Sequence, residues 1–237
     1  MTSIISQIVC GTRNLLAQGF RSLPVLLSST ILVLGMAQGN INLLFFFVGL
    51  AILSPTACLL VNLLWELIFS NTPSWLTIPS VYWKVSGGDS EQCNLFTLND
   101  SSMPSIINVV PSYWLTIMAF FFTYLISNAS SLYKKQENSK APKSATEARK
   151  FQTLVSIVLL SACSIIFTIL RFATQCETPL GVIISWVLGG YLGYGWYTFM
   201  RGCGLGRLDD IFGISNRLLP LQSYEEPMPT MCVPSTA

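Results

Sequence analysis

Apolar residues run along this chain in blocks of membrane length, broken by charge at only a few places. No Asp, Glu, Lys or Arg occurs between Arg21 and Glu66, over residues 101–133, or over residues 151–170. Crossing a bilayer core takes about 20 apolar helical residues, within a range of roughly 17–25. The stretch up to residue 69 therefore predicts two spans, 23–37 and about 43–69, with Gln38-Gly39-Asn40 as the turn between them. Three more are predicted at 112–126, 151–170 and 180 to about 200. About five helical spans make an all-α, polytopic membrane fold. Pro55 lies inside the second span and predicts a kink, with Ser54 and Thr56 placed to satisfy the carbonyl it frees.

The first block has a different period. At about 100° per residue, Ile4, Ile5, Ile8, Val9, Leu15, Leu16 and Phe20 share one side of a helix. Ser3, Ser6, Gln7, Arg13, Asn14, Gln18 and Arg21 share the other. Residues 1–22 thus read as an amphipathic helix lying in the headgroup plane, or packed on another protein surface. Its apolar face, so early in the chain, argues against a signal peptide, although the small residues at Gly35 and Ala37 leave a cleavage site open.

Polar segments separate the blocks. Residues 70–111 hold Lys84, Asp89, Glu91 and Asp100 with four prolines, and read as a loop outside the membrane, with a short strand around Val81–Val85. Residues 130–150 carry Lys134, Lys135, Lys140, Lys143, Arg149 and Lys150, six of the thirteen basic residues. The chain thus divides into 1–22, 23–69, 70–111, 112–129, 130–150, 151–200 and a proline-containing tail, 201–237. Cytoplasmic loops carry an excess of Lys and Arg. This places 130–150 and the tail, with Arg201, Arg207 and Arg217, in the cytoplasm, and 70–111 on the opposite side. Five spans then put the N-terminus opposite the tail, and Arg13 and Arg21 on the disfavoured side.

Composition agrees with this reading. The chain is 51% hydrophobic and 10% charged, against about 25% charged in ordinary soluble domains, and its mean hydropathy is +0.57. A net charge of +2 is too small to point to nucleic acid; basic residues beside a span point to anionic lipid. The chain has no histidine, which removes Ser-His and Cys-His nucleophiles, His metal sites and bis-His haem. Its seven cysteines form no CxxC pair, so no cofactor or metal is expected.

Five features are candidates for function. Cys93 and Cys176, both assigned to the non-cytoplasmic side, are candidates for a disulfide, with two free thiols as the alternative. Asn99-Asp100-Ser101 is a glycosylation sequon on that side. Gly189 and Gly193 form a GxxxG pair that lets helix backbones approach closely, with a glycine- and tyrosine-lined pathway as the alternative use. Glu66 is the only ionisable residue inside a predicted span, a candidate intramembrane polar site or a side chain reaching the headgroups. In the tail, Asp209 and Asp210 precede Ile211, Phe212, Leu218 and Leu219, whose helical spacing suits a short partner-docking helix.

The run Asp209-Asp210-Ile211-Phe212-Gly213-Ile214, followed by Asn216, Leu219-Pro220 and Met231-Cys232-Val233-Pro234, resembles the C-terminal tails of small multi-span membrane proteins of large double-stranded DNA viruses. The resemblance covers about thirty of the 237 residues. It implies a minor capsid-type virion component in an internal membrane, with the tail docking on capsid proteins and no catalytic residues. The chain is accordingly expected to be a non-enzymatic structural anchor or assembly factor. The alternatives are a small channel or transporter using Pro55, Glu66 and the glycine–tyrosine face, and lastly a lipid-modifying enzyme.

Overall fold

The computed structural model describes residues 2–70, 84–86, 106–108, 110–134, 143–174 and 176–203. These form α1 (Thr2–Gln38), α2 (Ile41–Val48), a π-helical turn (Gly49–Leu53), α3 (Ser54–Ser70), strands β1 (Lys84–Ser86) and β2 (Ile106–Asn108), α4 (Tyr113–Lys134), α5 (Lys143–Ala173) and α6 (Pro179–Gly202). The fold is all-helical in its architecture. Its two short strands pair antiparallel, Val85 opposite Ile107.

Four helical segments are long and apolar enough to cross a membrane: Gln18–Gln38, Ile41–Trp65, Tyr113–Lys134 and Arg149–Ala173. The fifth expected span exists as α6, 24 residues long. It is not among the four, because the glycines, tyrosines and Trp196 over residues 189–197 add little hydropathy. Packing nevertheless sets its course. Ser185, Gly189, Gly193, Tyr197 and Arg201 meet Ser112, Thr116, Phe120, Tyr124 and Ser131 in turn. The two helices are therefore parallel, in step at four-residue intervals from Ser112 to Tyr124, and α6 runs beside α4 along its length.

Local chemistry explains the breaks. Gly39, at φ +61°, ends α1 in a Schellman turn, with Asn40 N–H donating to Gly35 O at 2.9 Å and Gly39 N–H to Met36 O at 3.2 Å. The Asn40 side chain then caps α2 by accepting from Asn42 N–H. Gly35 is buried where Leu43 and Leu44 approach it. Pro55 has no N–H for the carbonyl one turn back. The helix adapts by widening, and Ser54 N–H reaches back five residues to Gly49 O. Thr56 Oγ1 donates to Ile52 O at 2.7 Å, as its position predicted; the Ser54 hydroxyl does not share that role.

One expected boundary is absent. Residues 1–22 and 23–37 belong to one continuous helix, with Pro24 inside it. At about 1.5 Å per residue, 37 residues extend for about 55 Å, nearly twice a bilayer core of about 30 Å. The amphipathic face itself lies on side chains outside the described residues.

α4 is the axis, with half of its span buried (50%), against 11% for α5. Phe46, Phe120, Tyr124, Leu43 and Leu50 fill one half of the core, and Trp114, Leu115, Met118 and Phe122 the other. The perimeter is apolar and open, as at Val158, Leu159, Ile165 and Ile169 of α5. In water that surface is unfavourable, and a bilayer covers it. The protein is an integral membrane protein on this evidence.

Candidate functional site: a buried polar knot at one end of the bundle

The chain gathers polar groups where α3 ends, α4 begins and α5 turns into α6. α4 starts at Tyr113 after Pro111, and Ser112 sits at its N-cap, its hydroxyl accepting from Leu115 N–H at 3.4 Å. α6 is capped by Thr178, whose hydroxyl accepts from Gly181 N–H, with Pro179 pre-set at the first helical position. These two caps bring Ser112 and the residue before Thr178 together. Ser112 Oγ donates to Glu177 Oε1 at 2.6 Å, and Ser112 N–H donates to Ser185 Oγ at 2.8 Å.

Arg171, in the last turn of α5, completes the knot. Its Nη2 and Nε donate to the same Glu177 Oε1 at 2.9 and 3.2 Å. Both side chains are buried, 3% and 0% exposed. The guanidinium also lies 5.0 Å from the centre of the Trp114 ring, a cation–π geometry. Trp114 Nε1 in turn donates to Phe20 O at 3.1 Å and ties α1 to the same point. Oε1 thus accepts three bonds, while Oε2 is buried with no partner among the described residues. Burial pushes the Glu177 carboxyl above its usual range, against the opposing pull of Arg171 and Ser112.

A polar stripe on α3 adjoins the knot. Cys58 Sγ and Asn62 Nδ2 both reach Pro111 O, at 3.3 and 3.4 Å. The Tyr113 hydroxyl lies beside Asn62. The knot and the adjoining stripe therefore join five helices through one arginine, one carboxylate and a set of hydroxyl, thiol and amide groups. The arrangement holds helix ends together.

Several sequence candidates fall elsewhere. Gly189 and Gly193 lie on the α6 face that meets α4; a side chain at Gly193 would come within 2.6 Å of Phe120 O, and one at Gly189 would strike Thr116 O. Tyr191 and Tyr194 lie on the outer surface of α6, 78% and 57% exposed. Glu66 belongs to α3, its side chain outside the described residues. Cys176 is disulfide-bonded, whereas Cys58, Cys163 and Cys203 are free; Cys93 and the sequon lie outside the described residues. So do Asp209, Asp210, Ile211, Phe212, Leu218 and Leu219.

Arg171 and Glu177 lie outside the hydropathy-predicted core of the spans, yet both side chains are buried. The available signals were a cation and an anion six residues apart around a proline-marked turn, and the spacing of Ser54, Cys58 and Asn62 at i, i+4 and i+8. Comparison with family models, with curated proteins and with solved structures finds no match to this chain.

Proposed function

We propose that this protein is a non-enzymatic, multi-pass membrane anchor or assembly factor. Its bundle fixes the chain in a bilayer, and its tail, residues 201–237, recruits other proteins, linking an internal viral membrane to capsid proteins. The observation that carries this reading is the filled axis. α4 is enclosed by aromatic and aliphatic side chains, and α6 presses a Ser185–Gly189–Gly193 edge directly onto its backbone. Such a body suits rigid support better than passage. Lys134, Arg149, Lys150 and Arg201 collect at the end from which the tail departs, next to where anionic headgroups attract basic side chains.

Deleting residues 207–237 tests the docking role. Partner proteins cross-linked to the full chain and recovered after mild detergent extraction should be lost from the truncated one, with carbonate-resistant membrane insertion unchanged. Undiminished recovery would remove the tail from the proposal. Absence of the protein from purified virus particles would remove the viral setting.

A second reading, a small channel or transporter, draws on the broken second span and its polar stripe, since irregular helices carry substrate sites in carriers. It calls for ion or solute flux in reconstituted vesicles, and sealed vesicles would dismiss it.

A further inference from the structure

Among the described residues, four buried oxygens in this region have no hydrogen-bonding partner: Ser54 Oγ, Asn62 Oδ1, Thr116 Oγ1 and Glu177 Oε2. Two lie on α3, one on α4 and one in the α5–α6 turn. Ser54, Cys58 and Asn62 succeed one another by one helical turn on α3. Cys58 and Asn62 share the Pro111 carbonyl just ahead of α4. Thr116 lies one turn beyond Ser112 on α4, and the Ser112 hydroxyl bonds the Glu177 carboxylate. Ser54 and Thr116 are fully buried, 0% exposed, and Glu177 is 4% exposed.

A buried polar atom without a partner forfeits its hydration, and native proteins answer such clusters with internal water. We propose that the junction of α3, α4 and the α5–α6 turn is a binding site for resident water, with Ser54, Asn62, Thr116 and Glu177 as its ligating residues. The donor set selects the ligand. Asn62 Oδ1 only accepts, and so does Glu177 Oε2 when the carboxylate is ionised, so whatever binds them then supplies protons or positive charge. A metal or ammonium cation would meet the Arg171 guanidinium already seated on the same carboxylate, which disfavours a second positive charge. Water donates to the two acceptors and can accept from the two hydroxyls. It bridges α3 to the ion pair, a connection that the protein's own bonds do not make directly.

The sign of a near-isosteric substitution tests this. Thr116→Val replaces a hydroxyl by a methyl. If that hydroxyl is bound to water, the full-length protein in detergent should unfold about 2–4 °C lower. A higher Tm would mean the hydroxyl was dry and unsatisfied, and would overturn the proposal. The wild-type Tm should be equal in sodium and choline salts; a sodium-specific rise abolished by Thr116→Val would overturn it in favour of a cation. If Thr116→Val does not fold, Ser54→Ala is read with the same signs. Water-to-methyl NMR cross-relaxation at the wild-type Thr116 then reports the site itself, and no long-lived water there would end the argument.

Discussion

Arg171→Met would leave the Glu177 carboxylate buried beside Ser112 with its charge partner gone. Breaking a buried pair from one side costs about 3–5 kcal/mol, whereas replacing both members by neutral groups is far cheaper. Arg171→Met should therefore lower the unfolding temperature strongly near neutral pH, and the Arg171→Met/Glu177→Gln double variant should recover most of the loss. Equal losses in single and double variants would show that the pair does not act as a unit. The pH dependence has a definite sign. A carboxyl whose folded pKa is raised binds its proton more tightly in the folded state. Its contribution is fully present below the ordinary value of 4.5 and is lost as pH rises through the raised folded value. Glu177→Gln cannot titrate, so the wild-type Tm should fall relative to that variant over the same rise. Thermal scans across mildly acidic to neutral pH check this.

At the scale of elements, the parallel contact between α4 and α6 makes the firmest demand on sequence. Gly189 and Gly193 have backbone atoms of α4 where a side chain would go, whereas Gly195 has nothing within 4 Å. Gly193→Leu should cost about 1–3 kcal/mol or more through overpacking. Gly195→Ala should be neutral or slightly stabilising, because it only reduces the helix-opposing freedom of glycine. Denaturation in mixed micelles separates the two. The GxxxG spacing was legible in the sequence, as was the turn at Gly39, because both depend on neighbours along the chain. The four-residue step that pairs Ser185 with Ser112 was not. It depends on which of five helices lies beside α4, and spacing within one helix carries no information about that. The π-helical turn is an intermediate case. Pro55 announced a disturbance, but Gly49 is the residue that lets Trp196 and Phe120 close in on it.

For the whole molecule, the ends of the helices sort into two sides. Phe20 meets Trp114 at one end, together with Asn62, Pro111 and the Arg171–Glu177 turn; Arg201 meets Ser131 at the other. With α6 alongside α4, the α5–α6 turn and the C-terminal end of α6 lie at opposite ends of the bundle. Single cysteines introduced at Thr174 and in the tail, on a cysteine-free background, should react with a membrane-impermeant thiol reagent from opposite sides of sealed vesicles. Labelling from the same side would mean that α6 does not cross.

The sequence by itself determined that this chain belongs in lipid, where its apolar spans are centred, and that the turn at Gly39 separates the first two. Those properties follow from hydropathy summed over about 20 neighbours and from local backbone chemistry. Only the tertiary structure decided that α4 is the axis, that Arg171 and Glu177 are buried rather than solvated, and that the stripe on α3 faces them. Burial of a charge is set by what packs over it. Here the cover comes from Trp114 and Ser112, some sixty residues away along the chain, beyond the reach of any local pattern.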